Sequence, residues 1–175
     1  MSASSPYAGA STPQGGVTTP ATQLPGIETP PGVPLWFVGA HGGAGATSLS
    51  QLVPGSGAVS RAWPASPSSC CVLVCRSNLS GLLAGQAAMV QWASGAAPSG
   101  VSLAGMVVVA DTAGRLPREL RQLADLIAGG VPRCWHLPWV EAWRTSTTPQ
   151  LGDLPHAARR VVADLVDVAR ATARP

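Results

Sequence analysis

The chain contains no lysine; all eleven of its basic residues are arginine. A site that needs an ammonium group therefore cannot borrow one from elsewhere in the fold. Charge is scarce as well, at 11% of residues with a net charge of +3, which is thin for a nucleic-acid binder with its dense basic stripe. Residues 1–114 balance, with Arg61 and Arg76 against Glu28 and Asp111, so the excess falls in 115–175. Tyr7 and Phe37 are alone of their kinds, although there are six tryptophans. No apolar run approaches the roughly 20 residues needed to span a bilayer. The opening residues have neither the basic head nor the apolar core of a secretory signal, so a cytoplasmic location is expected. Cys70, Cys71, Cys75 and Cys134 do not have zinc-knuckle spacing and are expected to be ordinary buried thiols.

What is present is one domain's worth of alternating structure. Residues 1–32, rich in proline, serine, threonine and glycine, are expected to form a disordered tail, with a single α/β domain over 33–175. The apolar run 33–39 predicts a buried strand, and 47–53 a helix of about two turns, stopped by the glycine and proline of 54–57. A second strand is predicted at 70–75 and a helix at 79–93, with Leu79, Leu82, Leu83, Gln86, Met89, Val90 and Ala93 largely on one face. The clearest strand is 103–111. A helix follows at 118–129, with the stripe Leu120, Leu123, Ala124 and Ile127. Then come a short strand within 131–139 and a terminal helix at 154–171, with Leu154, Ala158, Val161, Leu165 and Val168 in register. Apolar strands alternating with amphipathic helices predict a doubly wound, mainly parallel sheet of four or five strands covered on both faces. Ligands in such sheets bind beyond the C-terminal strand ends.

Two segments fall at such ends. After the first strand the chain reads Gly39, Ala40, His41, Gly42, Gly43, Ala44, Gly45, Ala46, Thr47, Ser48. Clustered glycines allow positive φ and let successive N–H groups converge on an anion. Residues 41–48 are the candidate phosphate-binding set, with Thr47 placed to offer a hydroxyl to Mg²⁺ or phosphate. A complete phosphate loop reads G-x-x-x-x-G-K-[ST]. Here Ala46 stands in the lysine's place, and losing such a charged hydrogen bond costs on the order of 2–5 kcal/mol in a buried site. His41 could supply one replacement donor; as plainly, it is a histidine in a surface loop. The second segment is Asp111, Thr112, Ala113 and Gly114. Asp111 is placed to hold Mg²⁺ with Thr47, or simply to cap the following turn. No second carboxylate is placed as a general base. His136 and Glu141, near Trp135, Trp139 and Trp143, read as packing or a contact surface.

The stretch AHGGAGATS resembles the phosphate loop of the SIMIBI class of P-loop NTPases, which includes the MinD/ParA ATPases and the signal-recognition-particle GTPases. Gly42, Gly43, Gly45, Thr47 and Ser48 match the K-G-G-x-G-K-[ST]-[ST] pattern, and His41 and Ala46 replace its two lysines. VVVADTAGRL (107–116) is similar to the second phosphate-sensing motif of the signal-recognition branch. The resemblance covers about residues 34–140. It implies a reduced P-loop fold, Mg-ATP or Mg-GTP binding and nucleotide-driven dimer contacts. A second alignment makes the 70–75 and 106–111 strands later ones and leaves Asp111 without a metal role. With both lysines replaced, the expectation is a non-catalytic P-loop-like scaffold or partner-binding protein that keeps some phosphate or nucleotide affinity, with a protein partner or a second copy of itself. Two alternatives stand beside it. One is a weak Mg-dependent ATPase or GTPase switch. The other is an accessory DNA-binding ParA-like protein using Arg118, Arg121, Arg159 and Arg160.

Overall fold

The computed structural model describes residues 18, 20–66, 68–145 and 148–173. In chain order the elements are β1 (Gly26–Ile27), β2 (Trp36–Gly39), α1 (Ala46–Leu52), β3 (Gly57–Ser60), β4 (Trp63–Pro64), β5 (Cys70–Arg76), α2 (Leu79–Ala93), β6 (Ser102–Val109), α3 (Arg118–Ala128), β7 (Cys134–Leu137) and α4 (His156–Thr172), with two short 3₁₀ turns before α4.

Five strands form one sheet in the order β3-β2-β5-β6-β7, with every neighbouring pair parallel. A parallel strand must be joined to the next by a crossover, and the helices that make these crossovers cover both faces. Strand residues alternate accordingly. Phe37, Val72, Val74, Val107 and Val109 face α1 and α4, where Leu49, Ala158, Val162 and Leu165 close the core. Val38, Leu73, Cys75, Met106 and Val108 face α2 and α3, meeting Leu82, Trp92, Ala124 and Ile127. Both faces being apolar is why β5 reads as an unbroken hydrophobic run. The result is the expected doubly wound α/β domain. From β2 the chain steps to β3 on one side, while β5, β6 and β7 follow one another on the other side. The winding therefore reverses between β2 and β5.

Three sequence expectations change. First, residues 24–29 do not belong to a free tail. The Trp63 N–H donates to the Pro25 carbonyl and the Ala65 N–H to that of Ile27, which zips β1 to β4 in parallel. Gln91 reaches from α2 to take the Leu24 N–H on Oε1 and to donate Nε2 to the Leu24 carbonyl. Residues 1–17 and 19 of the expected tail lie outside the described residues. Second, β3 occupies a stretch in which no strand is expected, because its four residues, Gly57, Ala58, Val59 and Ser60, carry little hydrophobic pattern. Third, α2 turns a different face inward. Its buried residues are Gly81, Leu82, Gly85, Ala88, Gln91 and Trp92. Leu79 and Leu83 are 56% and 48% exposed. In α4 it is Val162, not Val161, that is buried, while the α3 stripe lies as expected with Ala124 and Ile127 deepest. No helix among the described residues is long and apolar enough to cross a membrane.

Candidate functional site

The glycine-rich loop leaves the sheet at the point where the winding reverses. Its first turn is anchored by the Ala40 N–H, which donates to the Val74 carbonyl of β5 at 2.9 Å. Gly43 (φ +74°) and Gly45 (φ +105°) are left-handed, a region L side chains avoid, and Gly45 is the N-cap of α1 with no side-chain cap bond. The loop thereby curls around a hollow of about 250 Å³ lined by Gly39, His41 and residues 43–48, with Ser60 on the β3 side and Arg76 on the β5 side. Thr47 and Ser48 are the hydroxyl residues of the loop that line it. The Ala46 side chain is buried against the α1/α4 core and contributes no donor.

His41 and Arg76 form a reciprocal clamp. The Arg76 backbone N–H donates to His41 Nε2 at 3.0 Å, and His41 Nδ1 lies 2.9 Å from the Gly42 carbonyl. An Nε2 that accepts places the ring proton on Nδ1, where it donates to Gly42. Both ring nitrogens are thus spent inside the loop. Of the two roles open to His41, a replacement donor to phosphate or a loop histidine, these contacts fit the second. The Arg76 side chain returns the contact, with Nε donating to the Gly43 carbonyl at 3.0 Å and Nη1 to the Ala110 carbonyl at 3.1 Å. Arg76 takes part in none of the ion pairs among the described residues, which are Arg133–Asp164, Arg144–Glu141 and Arg170–Asp167.

The second segment is placed elsewhere. Asp111 follows β6, and β5 lies between β6 and β2. The Asp111 N–H donates to Ser77 Oγ at 3.0 Å, and Asp111 does not line the loop hollow. Thr112 and Gly114 line a separate hollow of about 250 Å³, walled by Val108, Leu116, Leu137 and Pro138, while Ala113 is exposed. Thr47 lines the loop hollow and Asp111 does not. Among the described residues no group of three or more His, Cys, Asp and Glu side chains could hold a metal ion.

Cys70, Cys71 and Cys75 are buried and Cys134 is half-buried; all four are free thiols. Burial pushes the Cys75 thiol from its ordinary 9.0 up to about 12, with a smaller push from Cys134. Burial, then the nearby Asp125, brings Cys134 up to about 11. The tryptophan-rich segment divides. Trp135 is core, with the Arg133 guanidinium 4.9 Å above its ring. Trp139 is half-exposed and donates Nε1 to Glu141 at 2.7 Å. The arginines considered for DNA are all exposed but split between α3 and α4, on opposite faces of the sheet.

Residues 33–162 match the model of a family described as "Family of unknown function (DUF6668)". The chain belongs to that family. No match is found among curated proteins or among solved structures. The matched span begins just before β2 and runs into α4, so it takes in the loop, Arg76 and the whole five-stranded sheet.

Arg76 is the site residue that sequence reasoning did not pick out. Its signal was present, since it is the last residue of a buried strand and so stands at a C-terminal strand end. That this strand neighbours the loop strand is a fact of sheet order, which no local pattern carries.

Proposed function

We propose that this protein is a non-catalytic, P-loop-like scaffold that holds a phosphate-type anion in its glycine-rich loop and presents its surface to a protein partner. The observation that carries the reading is the hollow's position and lining. It opens at the reversal of winding in a parallel sheet, where α/β proteins bind ligands. It is edged by a loop with two left-handed glycines and by an arginine that pairs with no carboxylate among the described residues. The kinship with P-loop NTPases is part of this proposal, and the loop leaving a parallel strand for a helix supports it. The missing lysine, and a hollow lining that does not include Asp111, speak against phosphoryl transfer, which needs positioned charge on the terminal phosphate.

The partner half of the reading is supported by α2. Its fifteen residues carry no charge, yet Leu79 and Leu83 lie one turn apart on its outer side. The outer sides of α3 and α4 carry arginines and acids. Titrating the full chain with inorganic pyrophosphate, ADP and ATP, followed by a turnover assay, tests the proposal. Saturable binding without hydrolysis is expected. Steady release of phosphate from ATP would replace the scaffold reading with a switch.

A further inference from the structure

We propose that the loop hollow takes its anion without a metal ion, the countercharge coming from Arg76. This rests on reading the hollow as an anion site and adds to it what balances the charge. The resemblance to P-loop NTPases implies Mg²⁺ held by Thr47 and Asp111. Magnesium needs near-octahedral oxygen ligation, typically with one or two carboxylates. No carboxylate among the described residues lines this hollow. Asp111 lies two strands away from the loop strand, a lateral offset of roughly 9–10 Å, and its backbone is tied to Ser77.

The space between the loop and the end of β6 is instead bridged by the Arg76 guanidinium, through the Gly43 and Ala110 carbonyls. A divalent cation bridging Thr47 to Asp111 would have to share this ground with a fixed positive charge. Two of the five guanidinium N–H groups are spent on those carbonyls, which leaves three for a ligand. A planar guanidinium is well matched to phosphate oxygens. The Gly43 and Ala110 carbonyls hold the guanidinium at the rim of the hollow, and His41 accepts from the Arg76 backbone N–H. The ligand class is a phosphate or diphosphate group in its metal-free form.

Calorimetric titration of the full chain with inorganic pyrophosphate, once with EDTA and once with excess MgCl₂, tests this. The expected result is binding at least as tight in EDTA as in magnesium. Arg76→Gln should weaken it by about 10- to 100-fold. Arg76→Lys, which keeps the charge, should retain part of the affinity and guards against the glutamine variant failing to fold. Asp111→Asn should leave the affinity unchanged. Binding that disappears in EDTA or in Asp111→Asn, or an Arg76→Gln variant that binds like the parent, overturns the metal-free proposal while the anion reading stands. No binding to the parent chain in either buffer defeats the anion reading itself.

Discussion

At the scale of single residues, the site rests on contacts between side chains and loop backbone. His41 was legible as a member of the loop but not as its fastener, because its role depends on the N–H of a residue 35 positions away. Replacing it with alanine strands that N–H and should destabilise the fold by about 1–3 kcal/mol, read from urea unfolding. A second residue-scale test lies in β6. The register between β5 and β6 shifts at Cys71/Val72, opposite Gly105. There a Cβ would collide with the Arg133 carbonyl and the Trp135 ring. Gly105→Ala should therefore cost about 1–3 kcal/mol as an overpacking change, whereas alanine at Gly152, which has open space around it, should be near neutral. The left-handed glycines of the loop could be anticipated from their clustering. The glycine of the bulge could not, because its reason is a carbonyl on the neighbouring strand.

At the scale of elements, α2 shows where periodicity misleads. Its large apolar residues suggest that Leu79 and Leu83 point inward. The inward ridge is instead built from Gly81, Gly85 and Ala88, which let the helix lie close on β5; a Cβ at Gly85 would come 2.9 Å from Cys75 Sγ. Close approach of backbones selects small residues, and a hydrophobicity pattern does not register that choice. The same helix buries Gln91, whose amide is fully used. Oε1 accepts from the Leu24 N–H and Trp63 Nε1, and Nε2 donates to the Leu24 and Ala96 carbonyls. This amide couples the 24–29 segment to the sheet domain, and its partner there, Leu24, is 67 residues away in the chain, hence invisible to local reading. Gln91→Leu should cost about 1–3 kcal/mol, since it leaves buried groups unpaired. It should also speed amide exchange at Ile27 and Ala65 before global unfolding sets in. Unchanged exchange there would mean that the segment is held by something other than Gln91. By contrast Leu83→Arg, on the outer side, should change stability by no more than about 0.5 kcal/mol.

At the scale of the whole molecule, the alternation of strands and helices was legible because the central strands β2, β5 and β6, between two helical layers, are apolar on both faces over most of their length. The five-strand order was not, since it depends on β3, a strand with almost no pattern of its own. The proposed function leans on that order, which puts Arg76 in the lining of the loop hollow and leaves Asp111 out of it. The buried thiols add a property of the fold as a whole. In the unfolded chain they titrate near 9.0, but burial holds Cys75 near 12 and Cys134 near 11. The folded state thus keeps protons that the unfolded state releases. Stability should be fully present below pH 9 and fall as pH rises from about 9 towards 12, in urea melts across that range. A Cys75→Ala chain should show a shallower fall.

The most direct test of the central claim is the affinity of the full-length chain for inorganic pyrophosphate, measured by calorimetry side by side with Arg76→Gln. Saturable one-site binding in the parent, weakened at least about tenfold in the variant, is the predicted result. A parent chain that takes up no pyrophosphate at millimolar concentration would contradict it.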